Sequence, residues 1–251
     1  MAVIGQAVAM TPAPDPTATA HIAFICAMPM ELEPLITKLD LHESSLGDVT
    51  FHAGSLGDRR VVAIVTGMGT ELATAGTTRL LDAVQVERLL VVGITGAVEN
   101  ETPIGTLVLP ELVVNAATGG EYRPAPLGGG TPAGTMWTTN VLITNLDEIA
   151  GLRARGVVSL DMETAAIAAL CEARGIPWSV FRVISDRATD GSVDQEVFRL
   201  SNMDGSPNNE AIERFFAEHP ERLEAMTRLA EGALLATNAA ADAAIRACTA
   251  G

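Results

Sequence analysis

Apolar positions recur along the chain at two spacings, and these divide it into strands and helices. His21-Ile-Ala-Phe-Ile-Cys-Ala27 is a continuous apolar run of the length a strand buried on both faces requires. Residues 30–39 have helical period, with Glu31 near the start. Residues 49–53 and 60–65 read as two strands joined by a turn with glycine, and Thr66-Gly-Met-Gly69 punctuates the second. A helix is expected over 70–84 and a buried strand over 89–92, which ends at Gly93-Ile-Thr-Gly96. Residues 106–109 and 112–115 are further strand material, and 118–134, rich in Gly and Pro, read as loop. Beyond the loop the pattern predicts a strand over 137–143, a helix over 147–155, a strand over 157–160, a helix over 164–174 stopped by Gly175, and a strand over 178–184. From about 210 to 248 the period is helical, broken near Pro220, and should cover one face of a sheet.

Strands alternate with helices through much of this order, with a hairpin-like interruption. That predicts an α/β fold: a three-layer α/β/α sandwich around a mixed, largely parallel sheet. Only 4% of the 251 residues are aromatic while 48% are hydrophobic, so the core must be built from Ala, Val, Ile and Leu. No composition shift divides the chain, and residues 21–251 read as one domain behind a mobile leader, residues 1–20, with Pro12, Pro14 and Pro16.

The formal net charge of -15 argues against nucleic acid and anionic lipid as partners, since both are polyanions. Cys26, Cys171 and Cys248 stand far apart, and the four histidines have no ligand spacing, so neither a disulfide framework nor a metal site is expected. The leader lacks a basic start and an apolar core, and no run is long enough to span a bilayer, which makes a cytoplasmic protein the expectation.

Candidate chemistry lies where apolar runs end in acids, because open α/β sheets bind ligands at the carboxyl ends of their strands. Glu31 follows the first strand and would also suit a helix start. Asp161 and Glu163 flank Met162 at a strand-to-helix junction, where one carboxylate can cap the helix and the other face a cleft. Asp186 follows Ser185 after an apolar run, and would equally serve a turn or N-cap. Arg182 lies inside that run, and a buried guanidinium needs a carboxylate partner. The glycines of Gly93-Ile-Thr-Gly96 and Thr66-Gly-Met-Gly69 allow tight turns or backbone N–H groups facing a ligand. The Gly67-x-Gly69 pair lacks the rest of a dinucleotide fingerprint.

Taken in order, Ile25-Cys-Ala-Met-Pro-Met-Glu31, Thr66-Gly-Met-Gly69, Val92-Gly-Ile-Thr-Gly-Ala97, Leu160-Asp-Met-Glu-Thr-Ala165 and Arg182-Val-Ile-Ser-Asp186 resemble the nucleoside phosphorylase/nucleosidase superfamily, and most the 5'-methylthioadenosine/S-adenosylhomocysteine nucleosidases. The resemblance implies roles. Glu163 would hold the ribose hydroxyls with Met162 packed on the sugar. Asp186, beside Ser185, would protonate or hydrogen-bond purine N7. Glu31 would position and activate water with Arg182 nearby, and Thr95 and Gly96 would line the pocket. It also implies a nucleoside as the small-molecule partner, no metal or redox cofactor, and a homodimer or higher homo-oligomer.

Phosphorylases of this superfamily hold phosphate with arginines before the Gly-Ser/Thr-x-Gly block and near the first strand. The matching segments here, Leu89-Leu-Val-Val-Gly93 and Ala27-Met-Pro-Met-Glu31, have none, which favours hydrolysis. Phosphorolysis and binding without turnover are the alternatives. The resemblance places loop 118–136 over the base and 5' group, with Trp137 and Tyr122 as candidates to stack on the base. Residues 202–206 and the long helical C-terminal region depart from the family pattern.

Overall fold

A computed structural model of the protein describes residues 20–249; the expected leader lies outside them except for Ala20, which opens the first strand. Four strands form the centre of the sheet: β1 (Ala20–Cys26), β4 (Arg59–Val65), β5 (Val86–Ala97) and β11 (Trp178–Arg187). They run parallel in the order β4-β1-β5-β11. Beside β4 lies β3 (Val49–Leu56), antiparallel to it, and then β2 (His42–Leu46), antiparallel to β3. At the other end β10 (Val157–Asp161) pairs antiparallel with the last residues of β5, and β9 (Thr135–Thr138) and β7 (Leu112–Asn115) continue in parallel. Two short strands, β8 (Glu121–Tyr122) on β7 and β6 (Leu107–Val108) on β11, complete the mixed sheet.

Alternation along the strands makes the layers. On β1, Ile22, Phe24 and Cys26 face one side and Ala23 and Ile25 the other. The first side is covered by α1 (Pro29–Leu39) and α7 (Leu223–Thr249), and the second by α2 (Thr70–Ala83) and α4 (Thr164–Arg174). The sandwich expected from the sequence is therefore present. Helix α7 meets the sheet through Ala236, Ala240, Ala241 and Ala244, all fully buried, so its backbone can lie close to β5 and β11. A small outlying cluster joins α5 (Gln195–Phe198), α6 (Asn209–Glu218) and the start of α7 through Val197, Phe215 and Met226.

The differences from the sequence reading have local causes. Strand β2, His-Glu-Ser-Ser-Leu, is polar and carries no apolar alternation; it exists because Gly47, at φ 61°, turns the chain back onto β3. Residues 121–122 in the expected loop pair with β7. The strand expected over 137–143 starts earlier and stops at Thr138, and residues 139–145 leave the sheet to reach α3 (Leu146–Ala154), whose start is capped by Asn145.

The alanine face of α7 yields a prediction. Ala240→Leu adds a larger side chain to the fully packed cluster that also holds Leu90, Val92 and Phe181, and overpacking of this kind costs about 1–3 kcal/mol. Denaturant unfolding should show a lowered midpoint with an unchanged slope.

Candidate active site

Strand β5 changes neighbours part-way along one edge. Its residues 86–91 pair with β1, and only Gly96 and Ala97 pair with β10. Between these partners the Ile94 peptide is satisfied by side chains: its N–H donates to Glu31 Oε1 at 2.8 Å and its carbonyl accepts from Arg182 Nη1 at 3.0 Å. Two charged residues thus stand where a neighbouring strand would otherwise supply the bonds. Gly93 lies beside Arg182 in the register, and a Cβ there would overlap the Glu31 carboxylate and sit 2.9 Å from Arg182 Nη1. Glycine is required here for close approach.

Arg182 is 2% exposed and joins three carboxylates. Nη1 donates to Glu31 Oε1 at 3.1 Å, and Nη2 donates to Asp161 Oδ2 at 3.2 Å and Glu163 Oε2 at 2.9 Å. Nε is buried without a protein acceptor. Burial alone would lower the guanidinium pKa, but Glu31, Asp161 and Glu163 raise it, so the group is a permanent cation. Glu31 uses both oxygens fully: Oε2 accepts from the N–H groups of Ala27 at 2.7 Å and Met28 at 3.0 Å, while Oε1 takes Ile94 and Arg182. It serves the helix start and the cluster together.

The two acids flanking Met162 divide their work. Asp161 Oδ2 accepts from Thr164 N at 2.8 Å and Thr164 Oγ1 at 2.5 Å, and so ties down the start of α4. Glu163 occupies the N-cap position but makes no capping bond with its side chain. Its Oε1 accepts from Gly69 N at 2.9 Å, which brings in the Thr66-Gly-Met-Gly69 turn. The Glu163 carboxyl is raised to about 7: burial pushes it up most, Asp161 and Glu31 add to the rise, and Arg182 and the Gly69 N–H oppose it.

On β11 a register shift between Ile184 and Asp186 turns Ser185 and Asp186 towards the same cavity. Asp186 belongs to the strand and caps no helix. Burial raises its pKa, and the Ser185 hydroxyl, donating to Oδ1 at 2.6 Å, opposes the rise. Gly96 lies beside it, and a Cβ there would come within 3.1 Å of Asp186 Oδ2.

These groups line a cavity of about 300 Å³ at the carboxyl ends of β1, β5, β10 and β11. The eight residues to which the resemblance gave roles are among its walls, Glu31, Asp186, Glu163, Met162, Ser185, Thr95, Gly96 and Arg182, and so is Asp161. The Thr95 hydroxyl itself is spent on the Leu160 carbonyl at 2.7 Å, which helps hold β10 against β5. Most of the remaining wall is apolar, from Met28, Met30, Met68, residues 141–143, Val197, Phe198 and Leu229, with Asp161, Thr139 and Ser201 among it.

Two expectations about this wall are corrected. No residue of loop 118–136 lines the cavity; its Gly128 packs on Ala247 of α7 and its Gly130 on Leu109. Trp137 and Tyr122 do not line it either: Arg155 stacks on Trp137 at 4.7 Å, and Tyr122 packs against the core. The aromatic at the cavity is Phe198. Its sequence signal was slight, an N-cap at Asp194 opening a single helical turn. Residues 202–206, outside the expected pattern, follow Ser201 of the cavity wall. Met68 N donates to the Met203 carbonyl at 2.7 Å, and Gly205, at φ 78°, lies so close to Met28 that no Cβ would fit.

An open α/β sheet with acids gathered around one cavity at its strand ends defines a small-molecule-binding protein of the doubly covered α/β class. A family model of the phosphorylase superfamily matches residues 21–133 and 128–218, and the chain belongs to that superfamily. It is 29% identical over 198 residues to a 5'-methylthioadenosine/S-adenosylhomocysteine nucleosidase of Chromohalobacter salexigens, an alignment covering 66% of this chain and 84% of the relative. In fold it is similar to the Neisseria meningitidis 5'-methylthioadenosine/S-adenosylhomocysteine nucleosidase in complex with methylthio-immucillin-A (TM-score 0.69, 17% identity, 91% of this chain and 98% of that one). It is equally similar to the futalosine hydrolase of Helicobacter pylori (TM-score 0.69, 16% identity, 92% and 98%).

The titration of Glu163 can be read from stability. A carboxyl raised from 4.5 to about 7 on folding binds more protons in the native state between those values. Its contribution is therefore complete below about pH 4.5 and is lost as pH rises to about 7. The unfolding free energy of the parent relative to Glu163→Gln should fall across this window, by at most about 1.4 kcal/mol per pH unit, and level off above it. Urea titrations of both proteins from pH 4 to 8 measure the difference.

Proposed function

We propose that the protein is a purine nucleoside N-ribohydrolase that cleaves the N-glycosidic bond of an adenosine, with methylthioadenosine or adenosylhomocysteine as the 5'-substituted class. The observation that carries this reading is one cavity holding Asp186 on one strand and Glu163 beside a carboxylate-saturated Arg182 on the other side. Breaking the bond sends its electron pair to the purine and leaves positive charge on the ribose, an oxocarbenium-like transition state. Asp186, with a raised pKa, supplies a proton to N7. The Glu163 carboxylate accepts the ribose hydroxyls and stabilises the developing cation, and Met162 packs on the sugar. Water adds at C1', and Glu31 takes its proton by exchanging one of the four donors it now holds. Thr95 and Gly96 form the wall between sugar and base.

Hydrolysis is favoured over phosphorolysis by charge. Arg182 is the one Arg or Lys among the described residues lining the cavity, and both its Nη atoms are already bound to carboxylates or a carbonyl. A phosphate dianion there would face three carboxylates with a single Nε–H remaining. The apolar wall of Met30, Phe198 and Val141 suits a short apolar 5' group such as methylthio.

No helix among the described residues is long and apolar enough to cross a membrane. We read the protein as a cytoplasmic homo-oligomer acting on a small molecule, without nucleic acid as partner, consistent with its net charge of -15.

Assaying a nucleoside panel for free base, with and without phosphate, tests the proposal. Free adenine from methylthioadenosine without phosphate is the expected result; strict phosphate dependence with a sugar 1-phosphate product would replace hydrolysis by phosphorolysis, and binding without cleavage would remove the catalytic reading. Asp186→Asn should lower kcat by about 10²–10⁴-fold with folding retained, and near-normal turnover would remove Asp186 from its role.

A further inference from the structure

Asp161 makes more contacts than a helix cap needs. Its Oδ1 accepts from Thr138 Oγ1 of β9 at 2.5 Å, and that same hydroxyl oxygen accepts from Ala165 N of α4 at 3.0 Å. Its Oδ2 accepts from Glu163 N at 3.2 Å, from Thr164 N and Oγ1, and from Arg182 Nη2. One buried carboxylate therefore joins β9, the end of β10, the first turn of α4 and β11. Two further consequences follow from where these bonds fall. The bond to Glu163 N fixes the backbone of the residue that faces the sugar, and capping by Asp161 releases the Glu163 side chain from that duty. The bond to Nη2 divides one nitrogen of Arg182 between Asp161 and Glu163.

We infer that Asp161 is a positioning residue for Glu163: it fixes where the Glu163 carboxylate stands and, by sharing Arg182 Nη2, sets how much positive charge Glu163 receives. The inference rests on the proposed nucleoside chemistry only for its kinetic readout. The charged and titratable groups around Glu163 are Glu31 from α1, Arg182 from β11 and Asp161 itself, with Cys26 from β1 against Arg182 and Glu31. Burial holds the Cys26 thiol well above its ordinary pKa, so it stays neutral. Among the carboxylates, Asp161 opposes ionisation of Glu163 more strongly than Glu31 does. A helix cap alone would not have this electrostatic effect, which gives a readout that a merely structural role would not move.

The test compares the parent with Asp161→Asn by carbon-13 NMR of carboxyl-labelled glutamate, the Glu163 signal being assigned with Glu163→Gln. The Glu163 midpoint, about 7 in the parent, should fall by about one pH unit in Asp161→Asn once the like charge is gone. The acid limb of kcat/KM for methylthioadenosine should move down with it, because the ionised Glu163 is the binding form. A moved midpoint with no hydrolysis of any nucleoside upholds the inference and overturns the proposed function. Hydrolysis with an unmoved midpoint overturns the inference and leaves the function standing. If Asp161→Asn does not fold, Thr138→Val keeps the charge and loosens the clamp. It should raise KM about tenfold with the acid limb unmoved, and a KM equal to the parent's would overturn the positioning role.

Discussion

One guanidinium buried among three carboxylates is the interaction on which the rest of this structure depends. Arg182 pairs with Glu31, Asp161 and Glu163, each from a different element, and its own exposure is 2%. Removing charges of this kind from water costs several kcal/mol per ion, and only close geometry with further hydrogen bonds offsets it. The surrounding backbone provides those bonds. Ala27, Met28, Ile94, Gly69, Glu163 and Thr164 all donate N–H groups to the carboxylates. The cluster consequently ties the ends of β1, β5, β10 and β11 to the starts of α1 and α4, and gives the cavity its floor.

The cluster also accounts for an irregularity of the sheet. A regular neighbour along the whole of β5 would leave no room for Glu31 and Arg182 to reach the Ile94 peptide. The partner strand changes from β1 to β10 around that point, and the glycine at position 93 keeps the space open. An opening between strands at their carboxyl ends is the usual place for a ligand crevice in open α/β sheets. Here it is also where the sheet's own hydrogen bonds are completed by the side chains of the site.

Net charge divides the cavity into two chemical environments. At one end three carboxylates surround a single cation. Glu163, one of the three, is held near 7. Asp186 stands away from that cation on the far side of the β11 register shift, and burial favours its protonated form. Burial raises both carboxyls, Glu163 against the opposing pull of Arg182 and Asp186 with only the Ser185 hydroxyl opposing it. The apolar wall between α5 and residues 141–143 limits what else can enter.

Periodicity alone indicated a three-layer sandwich, because buried strands and amphipathic helices announce themselves locally; that α1 and α7 share one face of the sheet and α2 and α4 the other was decided by packing. Acids at strand ends were equally legible, so Glu31, Asp161, Glu163 and Asp186 stood out as candidates, the resemblance to the nucleosidases gave Glu31, Glu163 and Asp186 their expected roles, and the isolated Arg182 implied a carboxylate partner. Local pattern could not show that Asp161 would cap the helix and Glu163 face the cavity, since both suit the same junction. Nor could it show β2, whose polar residues pair only because Gly47 turns them back on β3. Phe198 and Ser201 reach the site across long sequence separations, and Trp137 and Tyr122 pack elsewhere. Which side chains share a cavity depends on distances between segments remote in the chain, and only tertiary packing determines those distances.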